Sequence, residues 1–373
     1  MSYKNLHNEP FDENTICKLE IFEEYAKAWI PTFLMQKHIK EIHIFDFFAG
    51  SGYDKEGVKG SPIRIIEKIS EQKDNLCKSD ISIKVHLNEF EPHKKEQSKF
   101  VQLRESCQSF FEGNNWIKRN VSIFYYNEDF ETLFPKLFPV ISESPALVYL
   151  DQNGIKYLSE KYFLELARTK QTDFLYFVSS SYFWRFGDKD EFKIHIDIDM
   201  DKAKKNGYKL IHRTVTEHLK RSLPNNSPLK LYSFSIKKGS NIHGIIFGAS
   251  HLRAVDKFLS IGWQRNRING EANFDINEDK KKGQLNLFSS NQLTKIESFQ
   301  ENIKKLVLDS KLTDNKKLLE YTYSQGHIPS HAAECLRKLK KEKMVDYEGR
   351  SPCVTYDNVF NKKKIVHYRA VKK

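Results

Sequence analysis

Disulfide chemistry is the first thing this sequence excludes. Its 373 residues hold only five cysteines. Cys17, Cys77, Cys107, Cys335 and Cys353 stand singly, with no C-x-x-C pair and an odd total. That pattern predicts reduced thiols in a cytoplasmic setting, neither a disulfide frame nor a zinc site. Long apolar runs are missing too: nowhere do about 18 uncharged apolar residues follow one another. The opening "MSYKNLHNEPFDENT" is polar throughout, which predicts an unexported protein without a membrane span. The histidines are dispersed and show no H-E-x-x-H spacing, so no metal is expected.

What is present is a folded composition. Hydrophobic residues make up 39% and aromatics 13%, with 27 Phe and 17 Tyr, far too much ring surface for a disordered chain. The length suits two domains. A formal charge of +12 makes an acidic partner such as a nucleic acid plausible. Between residues 298 and 373 there are 17 Lys/Arg against 9 Asp/Glu, so two-thirds of the surplus sits in the last fifth of the chain.

Periodicity divides the chain further. Cys17 to Ile39 has the three-four spacing of an amphipathic helix, with Asn14 or Thr15 as its cap. Apolar runs then fall at Ile42–Phe48, Ile81–Leu87, Val121–Tyr126, Ala146–Leu150 and Phe174–Val178, with helix-like stretches at Pro62–Glu71, Pro92–Gln108, Glu131–Phe138 and Ser159–Thr169. Alternation of this kind predicts a doubly wound α/β sheet, parallel and covered on both faces. "LKLYSFSIKK" and "HGIIFGAS", separated by a short turn, predict an antiparallel hairpin at one sheet edge. Residues 183 to 227 read as an insertion or helical cap. The tail spells helix, turn, helix and two-stranded wing, a winged helix-turn-helix. The expected division is a helical leader at 1–40, a Rossmann-like domain at 41–265, a linker at 266–297 and a winged helix at 298–373.

In doubly wound sheets, ligands lie beyond the carboxyl ends of the strands. The first run ends "IFDFFAGSGY", an acid followed by residues with little or no side chain. Asp46, Phe48, Ala49, Gly50 and Gly52 would let a ligand with a cationic end lie directly on the backbone. The third glycine of G-x-G-x-x-G is absent, and an acid before the loop would repel pyrophosphate. The second run ends "VHLNEFEP", where Glu89, and less directly Glu91, suit the hydroxyls of a ribose. The third ends "FYYNEDFETL", where Asp129 suits an adenine amino group and Phe130 its ring. Three successive acid-tipped strands are what a site for S-adenosylmethionine (SAM) requires.

At the fourth tip stands Asp151-Gln152-Asn153-Gly154, and Asp151 and Asn153 are the candidates for orienting a methyl acceptor. Trp184 and Arg185, after the fifth run, are candidates for gripping a base or RNA. Arg337, Lys338, Lys340 and Lys341 are candidates for phosphate contacts on the recognition helix. Each has a plainer reading: Glu89 and Glu91 as charges opening a helix, Asp129 as a cap, Phe130 as core, Ser61-Pro62 as a helix start, Trp184 and Arg185 as a roof over the core, and the tail lysines as a solvated face.

"DFFAGSG" resembles the first SAM-binding motif of class I methyltransferases. "KLEIFEEYAKAWIPTF", "IFDFFAGSGYDKEGVKGSPIRIIE", "GIIFGASHLRAVDKFLSIGWQ", "QLNLF" and the terminal winged helix together resemble the three-Cys-motif partner protein family, over most of residues 15 to 370. The resemblance implies a SAM-dependent methyltransferase, or a methyltransferase-like adaptor, working beside a three-cysteine, radical-SAM-like protein in mobile or phage-related gene neighbourhoods. The family itself has no settled substrate, and a nucleic acid is the substrate expected from the basic charge and from the first motif's likeness to that of nucleic-acid methylases. One departure stands out. Amino-group methylases carry [D/N]-P-P-[Y/F] at the fourth tip, and Asp151-Gln152-Asn153-Gly154 has neither the proline that stiffens the loop nor the aromatic that stacks on a flipped base. The loop has no Cys either, so the covalent route of cytosine methylation lacks a nucleophile.

Overall fold

The computed structural model describes residues 10–92, 98–152, 159–239, 241–285 and 292–371. The chain divides into two compact units, 1–250 and 251–373.

The first unit opens with α1 (Glu13–Leu34), whose cap is Asp12 rather than Asn14 or Thr15: its Oδ1 accepts from the Thr15 amide at 2.8 Å. There follow β1 (Glu41–Asp46), α2 (Ser61–Ser70), α3 (Lys73–Cys77), β2 (Ser82–Asn88), α4 (Lys99–Glu112), β3 (Val121–Tyr126), α5 (Phe130–Glu143), β4 (Ala146–Leu150), α6 (Glu160–Ala167) and β5 (Thr172–Ser179). Four helices, α7 (Ser180–Phe186), α8 (Asp190–Lys193), α9 (Met200–Asn206) and α10 (Ile211–Ser222), fill the stretch whose shape the sequence leaves open. The unit closes with β6 (Lys230–Lys238) and β7 (Asn241–Ala249).

The seven strands form one sheet in the order β3-β2-β1-β4-β5-β7-β6. β1 to β5 are parallel, whereas β7 runs antiparallel to both β5 and β6. The doubly wound class with an antiparallel edge hairpin is therefore the observed one. β4 is buried at all five residues, as expected of a strand covered on both faces. The strand order reverses between β1 and β4, which puts the switch point beside Asp46 and Asp151.

α1 lies on this sheet through its aromatic stripe. Phe22 stacks on Tyr149 of β4 at 3.9 Å, Tyr25 meets Phe247 of β7 edge-on at 4.8 Å, and the Tyr25 hydroxyl donates to Asp173 at 2.6 Å. Since Asp173 lies near the start of β5 and Lys18, one turn before Phe22, reaches the far end of β4, α1 spans the sheet from one strand end to the other. No helix among the described residues is long and apolar enough to cross a membrane.

The second unit comprises α11 (Leu252–Arg265), α12 (Asp279–Leu285), α13 (Lys295–Leu308), α14 (Asn315–Ser324), α15 (Pro329–Lys341), and a two-stranded antiparallel wing of β8 (Val345–Asp346) and β9 (Arg369–Ala370). The sequence reads 266–297 as linker. In the structure, residues 266–274 form a compact turn around two asparagines. Asn266 Nδ2 donates to the carbonyls of Ala272 and Phe274, and buried Asn269 donates to Phe274 while accepting from the amides of Glu271 and Ala272. The indole of Trp263 donates to the Gly326 carbonyl at 2.9 Å, placing α11 on the helix-turn-helix.

The wing is held by one buried amide. Asn315 Nδ2 donates to the carbonyls of Cys353 and Lys364 at 3.0 and 2.8 Å, and its Oδ1 accepts from the Val366 amide at 3.0 Å. Two truncations test these contacts by chemical denaturation. Phe22→Ala should destabilise the first unit by ~3–5 kcal/mol, as large-to-small core changes do. Asn315→Ala, leaving two buried backbone groups and one part-buried carbonyl unpaired, should cost the second unit on the order of 2–4 kcal/mol, and equal stability to wild type would contradict the role given to this amide.

Candidate functional site

The carboxyl edge of the sheet at the β1/β4 switch point gathers the charges. Asp46 is the last residue of β1, opposite Leu87 of β2 and Tyr149 of β4, and is 1% exposed. One carboxyl oxygen accepts from the Phe48 amide at 3.2 Å. The other is buried and has no partner of hydrogen-bonding geometry among the described residues, although Ser61, at the start of α2, stands near enough to draw the pKa down. Burial outweighs both contacts and, with the negative charges of Asp151 and Glu89 nearby, lifts the carboxyl to about 7.

After Asp46 the chain makes a tight return. Gly50 and Gly52 have φ of 68° and 93°, in the region that only glycine enters freely. A Cβ on Gly52 would come within 2.8 Å of Ser106 Cβ, so position 52 is closed to a side chain by packing as well as by torsion. The loop then forms a small hairpin, with Tyr53 bridged to Lys59 and the Gly60 amide donating to Gly52 at 2.7 Å. Ser61 is not the cap of α2; that position is Gly60, with the proline inside the first turn.

Glu89 follows β2, and its Oε2 accepts from the Gly50 amide at 2.9 Å. Burial raises its pKa, helped by Glu91 and opposed by Lys99 and by the Gly50 amide. The structure thus brings Asp46, Phe48, Ala49, Gly50, Gly52 and Glu89 together in one loop cluster. Glu91 is turned toward α4, where its carboxylate accepts from the Phe100 amide at 3.2 Å.

The third tip is different. Asp129 caps α5, its Oδ1 accepting from the Glu131 amide at 2.9 Å. Phe130 is 2% exposed and packs edge-on against Phe47 and Tyr162 at 5.1 and 4.9 Å. The core reading therefore describes Phe130, while Phe48, half-buried and stacked on it at 5.6 Å, is the ring nearer the loop surface. At the fourth tip, Asp151 is in an ion pair with Lys18 of α1, both side chains being largely buried. Asn153, and with it Gly154, lies outside the described residues.

Four residues beyond those singled out from the sequence complete the site. Buried Asn88 fastens three strand ends together: its amide donates to the carbonyls of Phe47 and Glu128 and its oxygen accepts from the Glu128 amide, all at 3.1 Å. Asp54 collects the amides of Phe11, Val58 and Glu56 at 2.7, 2.7 and 2.9 Å, tying the segment before α1 to the glycine hairpin. Burial pushes Asp54 up, but these amides win and hold its carboxyl below the usual range. Lys18 supplies a buried cation, placed over the Phe177 ring at 4.2 Å as well as on Asp151. His243, near the start of β7 and opposite Ser179 of β5, stacks on Phe177 at 5.3 Å. Their only sequence signal is position: Lys18 lies on the buried stripe of α1, and His243 begins an otherwise apolar strand.

The nucleic-acid candidates are spread over both units. Trp184 and Arg185 lie exposed on α7, with Trp184 edge-on to Tyr208 at 5.6 Å. On α15, Arg337, Lys338 and Lys341 are at least partly exposed. Lys340 is engaged instead: its ammonium donates to the carbonyls of Tyr347 and Gly349 and sits over the Tyr347 ring at 4.2 Å, which fixes the turn into the wing.

Residues 273–352 match the family model of the GMT-like wHTH domain, in agreement with the winged helix built by α13 to α15 and the wing. No curated protein matches the sequence. Among solved structures, the chain is similar to the O-methyltransferase TomG from Streptomyces achromogenes in complex with SAM, at 12% identity and a TM-score of 0.32, over 66% of this chain and 98% of that one. A second is a putative O-methyltransferase from Klebsiella pneumoniae, at 10% identity and a TM-score of 0.29, over 64% and 90%. A third is a loganic acid methyltransferase with SAH, at 12% identity and a TM-score of 0.29, over 61% and 78%.

Proposed function

We propose that the first unit is a SAM-dependent methyltransferase and that its acceptor is a nucleic acid. The observation that carries this reading is Asp46, a buried carboxylate with one oxygen unpartnered among the described residues, beside a turn in which Gly52 has no room for a side chain. A carboxylate out of water is stable only with a cation or several donors to face it. The amino group of a methionine moiety supplies such a cation. The bare loop of Gly50 and Gly52 suits a ligand lying on backbone, and Glu89, once turned from the Gly50 amide, suits paired ribose hydroxyls. When bound, SAM supplies an electrophilic methyl group on a sulfonium.

This chain's own residues then bind, align and shield. Asp46 and Glu89 fix the two ends of the cofactor's donor groups. Phe48 offers a ring beside the loop, and Asp129, the acid at the third tip, suits an adenine amino group. Lys18 and Asp151 frame the acceptor side, and α1 with the Asp54 clamp keeps water from the switch point. Methyl transfer between two positioned partners draws most of its acceleration from alignment. Arg337, Lys338 and Lys341, on one helix of a winged fold, suit phosphate contacts, and the resemblance to the three-Cys-motif partner family extends the reading to a three-cysteine protein as companion. The pairing of Asp151 with Lys18 favours a second reading, in which the fold serves as an adaptor and the acceptor side stays closed.

Titration calorimetry separates the two. Cation binding lowers the Asp46 pKa from about 7, so SAM should bind more tightly as pH rises toward 7, approaching tenfold per unit, and level off above it, with protons released on binding below that point. Affinity independent of pH, or unchanged in Asp46→Asn, would remove Asp46 from the cofactor site. The same raised pKa has a stability consequence in the free protein. The folded state keeps a proton that the unfolded state loses, so stability from this group is full below about pH 4 and drains away as pH climbs to 7. Asp46→Asn should therefore be more stable than wild type at pH 8, by up to ~4 kcal/mol, with the gap closing near pH 4.

For the second unit, replacing Arg337, Lys338 and Lys341 by Glu should weaken binding of a nucleic-acid duplex or single strand, and the salt dependence should fall by ~0.7–0.9 for each phosphate no longer neutralised. Lys340→Ala should instead lower the unfolding midpoint of the second unit.

A further inference from the structure

Beyond the cofactor loop, buried polar atoms without partners among the described residues recur along the same edge of the sheet. Besides the Asp46 carboxyl oxygen, they include Ser180 Oγ, directly after β5, and His243 Nδ1, on the neighbouring strand β7. Ser180 is 0% exposed, and His243 pairs in register with Ser179, so the two atoms belong to adjacent strand ends. A buried group that bonds to nothing in the protein is costly, and one on a ligand-binding edge is explained by a ligand that completes it.

We infer that His243 is the general base of this site and that the methyl acceptor is a hydroxyl group, on a nucleic acid the ribose 2′-hydroxyl of RNA. The inference rests on the methyltransferase reading above. Three observations support it. The imidazole is held by stacking on Phe177, whose ring also carries the Lys18 ammonium, so its orientation is fixed by packing and leaves Nδ1 for a substrate. Lys18 is itself on Asp151, which joins the histidine to the tip of β4 through one ring and one ion pair. The tip Asp151-Gln152 lacks the proline that stiffens a base-stacking loop, which disfavours a base amino group as acceptor, and the hydroxyls that a nucleic acid offers are those of its sugars.

The hydroxyl needs such a base where an amine does not, because its oxygen is a weak nucleophile until its proton is leaving. An oxygen lone pair forms the new C–O bond to the methyl carbon and the methyl–sulfur bond breaks with its electron pair retained on sulfur. The hydroxyl proton passes to His243 Nδ1, giving an imidazolium that returns the proton to water after product release. Burial keeps the imidazole below its usual pKa, and Lys18 adds to this while Asp12 and Asp151 oppose it. The histidine is accordingly neutral, and ready to accept, at pH 7.

The test uses the full chain with tritiated SAM and total RNA from a strain lacking the gene, with digestion to nucleosides, alongside calorimetry of SAM alone. Label on ribose, reduced on the order of 10²–10⁴-fold in His243→Gln while that variant keeps wild-type SAM affinity, is the expected result. The wild-type rate should rise with pH and reach its plateau below the ordinary histidine range, and the residual rate of His243→Gln should lose that limb. Independently of turnover, nitrogen NMR of the histidine should show Nδ1 unprotonated at pH 7. Label on bases or on DNA alone, no label despite SAM binding, an undiminished His243→Gln rate, or a protonated Nδ1 would each overturn the inference. Failure of the wild type to bind SAM would mark the failure of the methyltransferase reading itself.

Discussion

A carboxylate at the end of a buried strand, short of one partner among the described residues, is the constraint on which the site depends. Asp46 sits where β1 leaves the core, behind Ile44 and Phe45, both 0% exposed, and ahead of a turn with no room for a side chain at Gly52. Apolar packing on both faces denies it water, and the nearby Asp151 and Glu89 deny it a favourable field. The core must offset this cost, as binding sites commonly require. The Phe48 amide relieves it only in part, and the next two loop amides are committed elsewhere, Gly50 to Glu89 and Ala49 to the Asn88 carbonyl. What remains is a place whose electrostatics improve when a compact cation arrives.

α1 couples packing to this site. Phe22 and Tyr25 bury themselves on β4 and β7, and that docking determines where Lys18 falls, one turn earlier and over the strand tips. Its long stem lies in apolar surroundings while its charge meets Asp151, an arrangement suited to an amphipathic side chain. The segment before α1 is fixed independently, through the Phe11 amide on Asp54. Helix, strap and glycine hairpin are therefore one covering over the switch point, and a change in any of them is transmitted to the residues that face a ligand.

The alternation of apolar runs makes the fold legible, because strand burial and the spacing of crossover helices are properties of local sequence. β3 and β4 coincide with the expected runs, and the reversed hairpin is visible in its short turn. Asp46, Gly50, Gly52 and Glu89 are legible because chemistry-bearing residues at strand tips stand out against apolar strands. Lys18, Asn88, Asp54 and His243 are not, since the partners that place them, Asp151, Glu128, Phe11 and Ser179, are remote in sequence, and only the folded sheet brings them together. Phe130 looks accessible in sequence for a related reason: a ring after a strand tip reads the same whether it faces a ligand or Tyr162. The polar stretch after Trp263 looks like a linker because its asparagines satisfy backbone groups rather than solvent.

The most direct measurement is a crystal structure of the protein with SAM or S-adenosylhomocysteine. The account predicts the amino group of the ligand on the carboxyl oxygen of Asp46 that has no partner among the described residues, the ligand lying along Gly50 to Gly52, and the Glu89 carboxylate released from the Gly50 amide to meet the ribose. A ligand bound elsewhere, or an Asp46 still unmatched in the complex, would contradict it.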